Sequence, residues 1–248
     1  MEIHAPEEPI YTWKHFWIHL GTITVGLCIA LGMEQGVQWL HRVHERRSLQ
    51  RELREEGEHN EATLAMDFGR IAALKGSLVQ WHRGVDDALA KGARLNDSSS
   101  HHTNTGTVAL PSEAMWDSAK ATGRVGLLSD KQTAVYAFLY QQGERLRAQE
   151  WDMANVAVQK QEQERKFERN FEETGKDGPP DFSKMNADDL KSYSTVLNRE
   201  IAELDEMTDL LHYFDGVNRA VLDGASSQEE IMRRLDSERL DEVPVPMN

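Results

Sequence analysis

The sequence predicts an all-α protein: an amino-terminal transmembrane helix that continues into an antiparallel, coiled-coil-like helical bundle. Three observations carry this. Phe16 to Met33 is a run of 18 residues without a formal charge. That is about the shortest stretch that crosses a hydrocarbon core ~30 Å thick as a helix. Prolines stand only at 6, 9, 111, 179, 180, 244 and 246, so long segments escape the ~3 kcal/mol penalty of an interior proline. Apolar residues then recur every seven positions in separate segments, as in helices packed along a seam.

Residues 1–12 read as a short acidic tail, with Glu2, Glu7 and Glu8. Residues 13–40 read as the membrane span. Tyr11, Trp13 and Trp17 stand at one end and Trp39 at the other. Trp17 and Trp39 are ~33 Å apart along a helix rising ~1.5 Å per residue, the spacing of two aromatic belts at headgroup level. A signal peptide wants a basic start and a small-residue cleavage site; this start is acidic and no Ala-x-Ala follows. A buried core helix is the other alternative, because His19, Thr22 and Thr24 dilute the run. Thr22, Gly26 and Ala30 lie four apart, and Gly32 with Gly36 forms a G-x-x-x-G. Small residues on one face let helices approach closely in lipid, so these five form a candidate helix-association face. Glu34 lies eight residues from Gly26, ~12 Å along the helix, just inside the expected hydrocarbon edge. A charge there is costly; it either snorkels to the headgroups or meets a basic residue of another chain. Glu34 is the candidate partner contact.

Residues 41–240 read as the bundle. Its first long helix covers about 41–91, with a seam of Leu64, Ile71, Leu78 and Val85 and a second row of Phe68, Leu74, Trp81 and Leu89. Gly92 stops it, and the Ser/His/Thr/Asn-rich segment 93–111 reads as a loop. A short helix covers about 112–122, with Ser112 as its cap and Gly123 as its stop. The next long helix covers about 129–174 and opens on a Ser129/Gln132 capping box. Its seam is Val135, Leu139, Leu146, Met153, Val156, Phe167 and Phe171. Gln142, Gln149 and Lys160 interrupt it, so its far half is expected to pack less well, and 159–173 reads as a solvated face. Gly175, Gly178, Pro179 and Pro180 break the chain. Asn186 with Asp189 caps a helix over about 187–223, with Leu190, Leu197, Leu204 and Leu211 in one row and Tyr193, Met207, Phe214 and Val221 in the other. Gly224 stops it, and Ser227 with Glu230 caps a short helix over about 227–239. Residues 241–248 read as a flexible tail. No strand and no long-period repeat is found.

Charge narrows the functional classes. Of 42 acids and 28 Lys plus Arg in 248 residues, four acids and one base precede residue 41. That leaves a net −11 on the bundle, which argues against nucleic acid. Arg42, Arg46, Arg47, Arg51 and Arg54 follow the span while Lys14 alone precedes it, which predicts a cytoplasmic bundle. The single cysteine, Cys28, allows no intrachain disulfide. Two acid-x-x-His pairs, Glu56/His59 and Asp209/His212, are weak metal candidates. Carboxylate di-iron bundles need two Glu-x-x-His pairs and two further glutamates, and no glutamate is evident at a heptad core position. Two such pairs is the number that 42 acids and ten histidines give at random. No phosphate loop, G-x-S-x-G, H-E-x-x-H or C-x-x-C occurs, so no cofactor is expected.

Two stretches carry a resemblance. The first is His4-Ala5-Pro6, Trp13-Lys14-His15-Phe16, His19 through Leu27, Ile29-Ala30-Leu31 and Glu34-Gln35; the second is Trp116 through Gly123. These resemble uncharacterised bacterial single-pass membrane proteins with an amino-terminal transmembrane helix and a helical soluble domain. The resemblance implies a bacterial inner-membrane protein and brings no catalytic residues with it. The expected function is a membrane-anchored, non-enzymatic helical module for protein interaction or assembly, its partners being membrane lipid and another protein or a second copy of the chain. The alternatives are a small-ligand sensory module and, more remotely, a carboxylate/histidine metalloenzyme.

Overall fold

A computed structural model of the chain describes residues 13–95, 108–167 and 180–242. Five α-helices follow in order: α1 (Trp13–Lys91), α2 (Ala114–Ala121), α3 (Asp130–Arg165), α4 (Ala187–Leu222) and α5 (Gln228–Glu242). Short 3-10 turns occupy Arg124–Leu127 and Phe182–Lys184. No strand occurs among the described residues. The chain divides into two units, 1–50 and 51–248.

The first unit is the opening half of α1. Among the described residues one helix is long and apolar enough to cross a membrane, and its apolar window lies here with none of it buried. The threonine hydroxyls that dilute the run are satisfied inside the helix: Thr22 donates to the Ile18 carbonyl at 2.9 Å and Thr24 to that of Leu20 at 2.8 Å.

In the second unit, the four seam residues Leu64, Ile71, Leu78 and Val85 of α1 are all buried. So are Leu190, Leu197, Leu204 and Leu211 of α4, and Val135, Leu139, Leu146 and Val156 of α3. Each such side chain contributes roughly 1.5–3 kcal/mol relative to exposure. Contacts between α1 and α4 run in opposite numerical order. Gly57 meets Asn218, Phe68 meets His212, Lys75 meets Asp205 and Trp81 meets Tyr193. Gly57 permits a close approach: a Cβ there would lie 3.0 Å from Asn218 Oδ1 and 3.1 Å from Leu222. The Asn218 amide donates to the Gly57 carbonyl at 2.8 Å.

The local stops and starts follow side-chain chemistry. Gly92, Gly123 and Gly224 all take positive φ just past helix ends, which an unbranched residue allows. Capping boxes at Ser129/Gln132 and Asn186/Asp189 open α3 and α4. Ser227 Oγ accepts from the Glu230 N–H at 3.2 Å, but the Glu230 carboxylate reaches Ser226 N rather than Ser227 N.

The span continues unbroken into the first bundle helix. Several other boundaries differ from expectation. α3 ends at Arg165, not near 174; its last N–H groups tighten onto Gln163 and Glu164, and the Phe167 carbonyl then accepts from Asp181 N at 2.8 Å. Phe171 and the Gly175–Pro179 break lie outside the described residues, as do Tyr11, most of the 93–111 loop and the last six residues. α5 runs to Glu242, three residues beyond its expected end. Ser112 does not occupy the cap position of α2: Glu113 does, without a side-chain cap bond. Gln149 and Lys160 are buried because α4 supplies each with a carboxylate.

Candidate functional site

Glu56 on α1 anchors the main polar cluster of the second unit. It is 7% exposed. Its Oε1 accepts from the Ser112 hydroxyl at 2.8 Å and from the Met115 N–H at 3.0 Å, and its Oε2 accepts from the Tyr140 hydroxyl at 2.6 Å. The first turn of α2 leaves N–H groups without intrahelical partners, and a glutamate from another helix supplies one. One turn on, Asn60 clasps the Ser112 backbone, accepting its N–H at 2.7 Å and donating to its carbonyl at 3.0 Å. The Trp116 ring stacks on Tyr140 at 5.2 Å between centroids and 6° between planes. Together these groups fasten α2 to α1 and α3.

Glu113 sits beside them and is satisfied less well. Arg147 donates to its Oε2 at 2.5 Å, but its buried Oε1 has no hydrogen-bond partner among the described residues. Burial raises its carboxyl above the ordinary value, against the lowering effect of Arg147. Gly143 faces this carboxylate so closely that any Cβ would collide with it.

A second network joins α1, α3 and α4 farther along. Lys160 Nζ donates to both oxygens of Glu200, at 2.7 and 2.8 Å, and both residues are buried. Gln149 donates to Glu203 Oε2 at 2.9 Å. The Trp81 indole donates to the Tyr193 hydroxyl at 3.2 Å, which donates to Glu164 at 2.7 Å. Burial first, and the neighbouring carboxylates second, push the phenols of Tyr140 and Tyr193 well above their ordinary range. A raised folded-state value means that this contribution to stability is whole below pH ~10 and is lost as pH rises, because the unfolded phenols ionise first. Above pH ~10 each tyrosine is expected to steepen the loss by up to ~1.4 kcal/mol per pH unit. Thermal unfolding from pH 8 to 11 tests this. Tyr140→Phe should lower Tm at pH 8 yet give a shallower alkaline slope, and an unchanged slope contradicts the assignment.

His82, Asp86 and Ser194 form an arrangement that resembles a hydrolytic triad. His82 Nε2 lies 3.1 Å from Ser194 Oγ, and His82 Nδ1 lies 3.5 Å from Asp86 Oδ2. Ser194, however, donates its proton directly to Asp86 Oδ1 at 2.7 Å. It also sits inside α4, where backbone N–H groups are spent in the helix ladder and offer no oxyanion donors. The three residues join α1 to α4 and lack the parts for acyl transfer.

Between α1, α3 and α4 lies a cavity of about 280 Å³. Leu74, Leu78, Met153, Val156, Leu204 and Met207 form its apolar wall, and Glu150, Glu200 and Glu203 edge it.

The residues expected to matter are distributed as follows. Trp13, Trp17 and Trp39 are 73%, 54% and 61% exposed, so the rings meet whatever surrounds α1. Trp13, Phe16 and Trp17 form a mutual ring cluster at 5.5–5.8 Å. Thr22, Gly26, Ala30, Gly32 and Gly36 are exposed, with open space around all three glycines. Glu34 is exposed and accepts from Gln38 of its own helix at 3.4 Å. The metal candidates are not brought together. Glu56 is occupied as described, His59 and Asp209 are exposed, and His212 stacks on Phe68 at 4.1 Å. No group of three or more His, Cys, Asp or Glu able to hold a metal occurs among the described residues.

The expectation of no glutamate at a core position fails. Stepping back from Leu64 by four, four, three and four residues reaches Asn60, Glu56, Leu53 and Leu49, all buried. The same stepping on α4 places Glu200 between Leu197 and Leu204, and on α3 it places Lys160 after Val156. That continuation of the seam through polar residues is the signal that marks both networks. The fold and these networks define an all-helical protein with one helix fit to span a membrane. No family model, curated protein or solved structure matches the chain.

Proposed function

We propose that the chain is a single-pass protein of a bacterial inner membrane whose helical bundle, on the cytoplasmic side, binds another protein or braces an assembly without catalysing a reaction. The observation that carries this reading is the full exposure of the apolar run in α1. Ile23, Leu27 and Ile29 are 68%, 59% and 58% exposed. A core helix would hide such residues; lipid satisfies them at no cost in backbone hydrogen bonds, since a helix pairs its own. Glu34 fits the same picture by bonding within its helix near the expected membrane edge. The opposed numbering of α1–α4 contacts, and of the α3–α4 pairs Gln149/Glu203, Lys160/Glu200 and Glu164/Tyr193, supports the antiparallel coiled-coil arrangement. The test is an alkaline carbonate wash of vesicles holding the full-length chain. Retention in the pellet is expected, and release into the supernatant overturns the anchor.

Trp151 supports the interaction role. It is 70% exposed on α3, and Val158, two turns along the same face, is 53% exposed. Exposed tryptophan is enriched among residues that dominate protein interfaces. Trp151→Ala is expected to remove the reproducible neighbours found by proximity labelling in the native host while shifting Tm little. An unchanged set of neighbours argues against this face. A second reading, a small-ligand sensory module, is favoured by the cavity between α1, α3 and α4.

A further inference from the structure

We infer that this cavity binds a small apolar cation: an ammonium group carried on a body about the size of two fused aromatic rings. The inference deepens the sensory reading and is independent of the membrane anchor. Size comes first. An apolar cavity of ~150 Å³ holds benzene, and this one, at about 280 Å³, is nearly twice as large. Its wall includes Met153 and Met207, whose unbranched thioethers reshape around irregular apolar guests.

Charge then selects the head group. Three carboxylates edge the cavity, and no basic residue lines it among the described residues. Glu200 is neutralised by Lys160, which reaches it from outside the lining at 2.7 and 2.8 Å. Glu203 accepts from Gln149 at 2.9 Å and from Arg199 at 3.5 Å. Glu150 is half-buried and has no hydrogen-bond partner among the described residues. With Glu200 and Glu203 already paired, Glu150 is the carboxylate left to set the charge preference: an anion entering here would face it unoffset, whereas an ammonium group pairs with it while its apolar body fills the wall. Ala154 is exposed at the rim and Ala157 is half-buried behind it, so the two alanines leave the entrance unobstructed.

The test uses the full-length chain in lipid nanodiscs, with empty nanodiscs subtracted, and calorimetric titration of three probes of one shape: 1-naphthylmethylamine, 1-naphthylmethanol and 1-naphthylacetate. Saturable binding is expected in the order amine, alcohol, acetate. Glu150→Gln is expected to weaken the amine by about fivefold and leave the alcohol unchanged, as removal of a half-exposed ion pair does. Ala157→Phe, which fills the cavity, is expected to weaken both by tenfold or more; if that variant loses helical signal, Ala154→Phe at the rim replaces it. No saturable binding above empty discs, acetate binding as tightly as the amine, or binding unaffected by a cavity-filling substitution would each overturn the assignment. Binding is scored per mole of chain recovered with the discs, so a failed anchor shows as missing chain and a failed site as chain present without binding.

Discussion

Lys160→Ala is expected to lower the free energy of unfolding by about 3–5 kcal/mol, the usual cost of leaving a buried charge without its partner. Lys160 and Glu200 are 7% and 5% exposed, and both carboxylate oxygens are used by the one ammonium group. Without Lys160, Glu200 keeps its largely buried position between Leu197 and Leu204 on α4. At ~2–4 °C per kcal/mol for a domain of this size, Tm should fall by about 6–20 °C. The double variant Lys160→Met/Glu200→Leu should recover most of the loss, because well-packed apolar residues replace a buried pair at little cost or some gain. Helical signal followed through thermal unfolding of the full chain distinguishes the cases. If the single variant behaved like wild type, water would have to reach Glu200 freely, and the pair would be an exposed one worth less than ~1 kcal/mol.

This pair also shows what the sequence discloses. Leu64, Ile71, Leu78 and Val85 announce their helix because burial repeats at the helical period, and all four are buried. The caps at Ser129 and Asn186 are equally plain, since each is a contact between residues three apart. Lys160 and Glu200 are 40 residues apart, and Glu56 and Tyr140 are 84 apart. Their meeting depends on the register of one helix against another, which no local pattern records. Glu55 and Glu58 flank Glu56 and are exposed; only its helical spacing from the buried Leu53, Asn60 and Leu64 sets Glu56 apart. The apolar run of α1 is legible as a candidate span by length alone. The cavity is not, because it arises where three helices fail to fill a common space.

Glu56→Ala is expected to cost at least about 3 kcal/mol, whereas Glu113→Ala is expected to change stability by less than about 1 kcal/mol. Both glutamates are buried and both stand at the start of α2, Glu56 bonded to it and Glu113 as its cap residue, so composition and burial do not separate them. Their partners do. Removing Glu56 strands three donors at once, the buried Tyr140 hydroxyl and the part-buried Ser112 hydroxyl and Met115 N–H; a buried group left unsatisfied costs roughly 1–3 kcal/mol and a part-buried one less. Removing Glu113 strands only Arg147, whose side chain is 47% exposed and can turn to water. It also deletes a buried oxygen that has no hydrogen-bond partner among the described residues. The pH dependence carries the same sign. With its folded-state value raised by burial, Glu113 favours the fold below its ordinary value of 4.5, and this contribution is lost as pH climbs through the raised one. Near neutrality its charge therefore works against the fold, and Glu113→Ala should compare best with wild type at pH 7 and worst at pH 4. Equal losses for the two alanine variants at pH 7 would mean that volume, not hydrogen bonding, holds α2 in place.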